Sequence, residues 1–187
     1  MRVFIAATIA ALIVTPAAAQ QRPPTGIEVT LAPGLVWHGA IFGDDDPKSA
    51  GAARLTVAGL VRAHIHRLAG FTFEGAIEPM GITNPHFDEH LHSLHALAGV
   101  EIGRRLTVRP AIGVAVQVWT GRNAESGVGI APAVGLAIGH RHRPQPGPGS
   151  GRWQFAHISP EVIARASMTH GTFSWMAGVQ VPFTWRR

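Results

Sequence analysis

The chain of 187 residues contains no cysteine. Disulfides therefore cannot hold its fold, and cysteine-based zinc sites and thiol nucleophiles are excluded. Charge is also scarce, at 14% of residues. The surface of a soluble secreted domain usually carries about a quarter to a third charged residues. Beyond residue 19 no segment is apolar and long enough to cross a membrane as a helix. The net charge of +5 is not gathered into a basic stripe interleaved with aromatics, so nucleic acid is not an expected partner.

What is there begins with an export pattern. Met1 and Arg2 precede an apolar run from Val3 to Val14, and Ala17-Ala18-Ala19 offers a small-residue cleavage site before Gln20. This predicts a signal peptide over 1–19, Sec-type export, and a single mature domain over 20–187.

In the mature part, apolar residues recur at every second position, the spacing of a β-strand. Val108, Ile112, Val114, Val116 and Val118 share one face with Pro110, while Thr107, Arg109, Ala111, Gly113, Ala115 and Gln117 share the other. Eight such segments stand between turn residues: Gly26–Gly39, Ala53–His66, Gly70–Pro79, His92–Gly103, Val108–Val118, Val128–Ile138, Trp153–Met168 and Gly171–Trp185. Alternation alone fits either a soluble sandwich or a membrane barrel. Length argues for the barrel, because most segments exceed the usual five or six residues and approach the roughly nine to eleven that a tilted membrane strand needs. The last segment adds an aromatic pattern, with Phe173, Trp175, Phe183 and Trp185 bracketing Ala177, Val179 and Val181 on one face. Together with Trp37, Phe71 and Phe73 these form a candidate aromatic girdle, since Trp and Phe favour the membrane interface.

With strand one starting on the periplasmic side, the expected outer loops are Ala40–Ala52, Met80–Leu91, Gly121–Ser126 and a turn near His170. The expected inner turns lie at Arg67–Gly70, Arg104-Arg105 and His140–Arg152. Charge sorts accordingly. Asp44, Asp45, Asp46, Asp88, Glu89 and Glu125 fall outside, and Arg67, Arg104, Arg105, Arg141, Arg143, Arg152, Arg186 and Arg187 fall inside, where a basic rim suits anionic headgroups.

These features, with hairpins such as Gly99–Gly121 and the aromatic strand ending at Trp185, resemble the small eight-stranded bacterial outer-membrane barrels of the OmpA-like type. The resemblance covers the whole mature chain and implies an all-β, antiparallel, up-and-down transmembrane barrel. It further implies a monomer without cofactors, in contact with outer-membrane lipids, lipopolysaccharide and the barrel assembly machinery. Its role would be structural or surface-interactive, with no appended peptidoglycan-binding domain. Barrels of this kind usually end on an aromatic residue, whereas Arg186 and Arg187 follow Trp185 here.

Three constellations carry chemistry. The face opposite the apolar one holds Glu28, Arg54, Arg62, Glu74, Glu78, Glu101, Arg109, Glu161 and Arg165. Inside a narrow barrel such charges must pair, and with eight strands side chains are expected to fill the interior. The histidine-rich stretch His86, Asp88, His90, His92 and His95 offers imidazole and carboxylate to a transition metal. His157 and Ser159, with Glu161 beyond, are similar to the His-x-Ser of lipid A deacylases and are the catalytic candidates, against which a lining role for all three is the plainer reading. A soluble, exported, lipocalin-like binder with an apolar cavity remains the alternative to any membrane role.

Overall fold

The computed structural model describes residues 26–42, 48–66, 69–84, 89–103, 105–121, 127–140, 153–169 and 172–187. The expected signal segment and the tips of several loops lie outside them. The described residues form one antiparallel sheet closed on itself, with strands β1 (Ile27–Phe42), β2 (Lys48–His66), β3 (Ala69–Asn84), β4 (Glu89–Gly103), β5 (Leu106–Gly121), β6 (Gly127–His140), β7 (Gln154–Ile158), β8 (Glu161–Thr169), β9 (Thr172–Gln180) and β10 (Phe183–Arg186). Each strand pairs with its neighbour in sequence from β1 to β6, then β6 pairs with β8 and β8 with β9. Closure falls on β1, which pairs β2 along one edge and β9 and then β10 along the other. Closing the sheet removes its free edges, as a strand structure in lipid requires.

The expected seventh and eighth strands are each broken in two. Ser159-Pro160 separates β7 from β8, and Val181-Pro182 separates β9 from β10. Proline donates no backbone hydrogen bond and interrupts a ladder. The two breaks lie side by side, with Ser159 N donating to Pro182 O at 3.3 Å and Val181 N donating to Pro33 O at 2.8 Å. A register shift at Thr184/Trp185 accompanies them. It turns Phe155 outward, rather than Ala156 alone, and sets its ring edge-on to Trp185 at 5.9 Å.

The first four strands run further than the sequence suggested at the end where β1 and β3 finish, which corresponds to the expected outer side. Segments 43–47 and 85–88 replace the longer loops expected over Ala40–Ala52 and Met80–Leu91. The pattern was hidden there by a bulge. Between Glu78 and Ile82 the register against β4 shifts, and Gly81 takes a φ of 64°. That left-handed conformation suits glycine, and Arg54 Nε donates to Gly81 O at 2.6 Å. On the opposite side Gly103, at the end of β4, takes a φ of 127°. A Cβ there would fall 2.0 Å from Leu106 O, so only glycine fits.

Burial alternates along every strand, with the apolar face outside. Ile112, Ile130 and Phe73 are 71%, 74% and 62% exposed, whereas Glu28 and Gln117 are 0% exposed. A coat rich in Val, Leu, Ile and Phe around a charged interior is the reverse of a water-soluble domain. It also opposes the soluble-binder alternative, whose cavity would need the apolar lining.

If acyl chains cover this coat, Val114→Arg should destabilise the barrel by about 2–4 kcal/mol, the cost of an arginine near the bilayer midplane. Denaturant unfolding in phospholipid vesicles measures this. Unchanged stability would mean that Val114 faces water.

Candidate functional site

Four carboxylates meet four guanidiniums in the inner part of the lumen. Arg62 Nη1 donates to Glu28 Oε2 at 2.7 Å, and its Nη2 donates to Glu101. Arg109 Nη2 donates to Glu74 Oε2 at 3.0 Å and to Glu161 Oε2 at 3.1 Å, and Arg109 also lies 3.8 Å from Glu101. Arg165 Nε donates to Glu74 Oε1 at 3.0 Å, so Arg165 turns to another strand and not to Glu161 on its own. Arg186 Nε donates to Glu28 Oε1 at 3.1 Å. Arg186 therefore points into the lumen, contrary to its expected place on the basic rim. Gln180 Nε2 completes Glu161 at 3.0 Å, and His64 Nε2 approaches Glu28 at 3.1 Å.

The strands dictate this lattice. Each guanidinium or carboxylate sits on an inward position of β1, β2, β3, β4, β5, β8 or β10, and the closed wall leaves no bulk water to screen them. Positive and negative groups then gain most by meeting in pairs with their hydrogen bonds filled. A small cavity beside Arg165, bordered by Glu74, Leu97, Arg109, Ala111 and Ile163, has room for about one water.

Glu78 stands apart from the lattice. Its Oε2 is 2.8 Å from His38 Nδ1, and His38 Nε2 is 3.0 Å from Ser174 Oγ. Arg54 Nε lies 4.0 Å from the other oxygen of Glu78. Serine, histidine and carboxylate thus follow one another in the order a serine nucleophile uses, but all three are fully buried. Gln117 Nε2 donates to Ser167 Oγ at 3.0 Å at a neighbouring level. Sequence reading missed His38, His64, Ser174, Gln180 and Arg186. Inward parity marks each of them, yet none belongs to a charged pair visible along one strand.

The catalytic candidates His157, Ser159 and Glu161 are all buried inward. The Glu161 carboxylate is held by Arg109 and Gln180, so its oxygens are committed to lumen partners and not to orienting an imidazole. Of the metal candidates, His86 and Asp88 lie outside the described residues. His90 and His92 face outward with ring centroids 6.5 Å apart, while His95 is buried on the opposite face of β4. Because a strand alternates sides, His95 cannot join that pair, and no group of three potential ligands gathers among the described residues.

The aromatic candidates all lie on the outward face. Trp37, Phe71, Phe73 and Phe173 are exposed, and Trp175, Phe183 and Trp185 are half-buried. The two outer indoles rest on glycines of adjacent strands: a Cβ on Gly39 would come 2.5 Å from Trp175, and one on Gly51 would come 2.9 Å from Trp37.

A further cluster lies inside the barrel at the outer end, where loops were expected. Ala40, Phe42, Ile82 and Leu91 are buried together, with Ala50 and Trp119 against them.

No protein-family model matches the chain, and no curated protein sequence matches it. Solved structures do. Ail, the attachment invasion locus protein of Yersinia pestis, aligns with a TM-score of 0.53 and 13% identity over 83% of this chain and 98% of Ail. Neisserial surface protein A aligns with a TM-score of 0.52 and 9% identity over 83% of this chain and 96% of its own. The fold is that of a small outer-membrane β-barrel. A second structure of Ail, in complex with the heparin analogue sucrose octasulfate, gives 0.54 and 13% identity over 85% of this barrel and 99% of Ail. Identities this low carry the architecture and nothing finer.

Glu74 accepts from two arginines, Arg109 and Arg165. Glu74→Ala should cost about 3–5 kcal/mol, because removing one partner strands buried charge. Ser174→Ala should cost only about 1 kcal/mol, the worth of one hydrogen bond. Unfolding midpoints of the two variants in micelles test the ranking, and equal losses would contradict it.

Proposed function

We propose that the protein is an integral outer-membrane barrel with a structural or surface-interaction role, exported through the segment over 1–19 and monomeric in the membrane. Its partners on this reading are outer-membrane lipids, lipopolysaccharide and, during insertion, the barrel assembly machinery. No enzymatic activity and no cofactor are assigned to it. The observation that carries the reading is the inversion of the wall, with aliphatic side chains outward and paired charges inward. The ion lattice supports a plugged lumen: its side chains fill the bore of an eight-stranded barrel, and their pairing leaves little mobile charge to attract ions.

Surface interaction would fall to the outer segments. By sequence these carry Asp44, Asp45, Asp46, Asp88 and Glu125. Carboxylates repel sulfate groups, so this chain is not expected to share the affinity of Ail for a heparin analogue.

Membrane fractionation combined with gel mobility before and after boiling tests the proposal. The protein should extract with the outer membrane only in detergent, and its mobility should change on heating. Recovery in the periplasm without detergent would end it. In planar bilayers the purified barrel should be electrically silent.

A further inference from the structure

Read along any of five strands, the inward residues fall into three tiers. On β4 the order is Leu91, Ser93, His95, Leu97 and Glu101; on β5 it is Trp119, Gln117, Ala115, Ala111 and Arg109. Strand β3 gives Ile82, Glu78, Ala76, Glu74 and Thr72, and β1 gives Phe42, Ala40, His38, Val36, Ala32, Thr30 and Glu28. On β2, Ala50 lies at the outer end, Thr56, Ala58 and Leu60 in the middle, and Arg62 at the inner end. The innermost tier is the ion lattice, and the outermost is the apolar cluster of Phe42, Ile82 and Leu91 against Trp119.

The middle tier sets polar groups among small apolar side chains, and several of those groups lack a hydrogen-bond partner. Ser93 Oγ, both ring nitrogens of His95 and Oε1 of Glu78 have no hydrogen-bond partner, although these residues are only 2%, 2% and 1% exposed. The strand partners of His95 on either side are Ala76 and Ala115, so the ring is flanked by small side chains. Four buried polar atoms without a hydrogen bond, beside alanines, make a site for ordered water. Each unmet group would otherwise cost about 1–3 kcal/mol.

We propose that the lumen holds an enclosed water-binding compartment at Ser93, His95 and Glu78, and that the apolar cluster of Phe42, Ile82, Leu91 and Trp119 is the seal that separates it from the outer face. The compartment rests on the reading of the chain as a closed-lumen membrane barrel and adds a second closure above the charged one. An apolar constriction excludes water and ions without any charge of its own.

The absence of cysteine makes the test direct. Ser93→Cys supplies a single thiol in the compartment, and a charged, membrane-impermeant methanethiosulfonate reports whether aqueous solution reaches it in the purified barrel. With the seal intact the thiol should be almost inert. With Phe42→Ala and Ile82→Ala together, its reaction should accelerate on the order of 100-fold, because truncating two buried apolar side chains weakens the seal's packing. Ala115→Cys serves as a second reporter should Ser93→Cys fold poorly, and lipid-facing Val114→Cys as the control that should stay unreactive. Rapid labelling with the seal intact would overturn the seal. No labelling in the opened variant, with the heat-dependent gel shift retained, would overturn the water compartment. Equal acceleration at Val114→Cys would mean general loosening and would overturn both. The retained gel shift and the bilayer recordings report on the barrel itself, so failure here is distinct from failure of the membrane assignment.

Discussion

Charge confined to the inside of a closed sheet is the constraint on which the rest of this structure depends. A closed sheet of eight strands leaves a bore about as wide as its own side chains. Once the aliphatic face is committed to the outside, every ionised group on the other face must find its counter-charge within the bore. Glu74 draws Arg109 from β5 and Arg165 from β8, while Glu28 draws Arg62 from β2 and Arg186 from β10. The Glu74 pairs tie β3 to β5 and β8, strands it shares no ladder with, and so brace the cylinder across its bore, while the Glu28 pairs reinforce the ladders that β1 makes with β2 and β10. A one-residue slip of any strand would send its charges into the hydrocarbon, which fixes register more firmly than the ladders could alone.

Much of this was legible in the sequence. Period-two patterning placed the eight wall segments and the correct faces, because in a barrel the inside and outside of each strand differ in polarity along its whole length. The inward charges were legible for the same reason. Their partners were not. Glu161 and Arg165 look paired along one strand, but side chains in a narrow bore reach across it more readily than along the wall. His38, Ser174 and Gln180 were passed over because a single polar residue of inward parity gives no sign of what faces it from the far side.

The outer end was misread for a different physical reason. The bulge between Glu78 and Ile82 shifts the alternation of β3, and β4 there carries outward His90 and His92, so a polarity pattern that had been clean stops repeating. Histidines in that neighbourhood have the composition of loops, yet the backbone of His90 and His92 stays paired. The apolar cluster was concealed with it, since Phe42, Ile82, Leu91 and Trp119 come from four strands and no local window contains more than one. The two proline breaks belong to the same class of feature: a single non-donating residue stops a ladder whose side-chain pattern continues on both sides.

Those breaks bear on how the cylinder shuts. Along its closing edge β1 first meets the four residues of β10 and then, past Pro33 and Pro182, the longer β9. The fastening is therefore divided into a short clasp and a long one with a joint between them. Opening the short clasp displaces four side chains only and leaves the pairing of the long one in place.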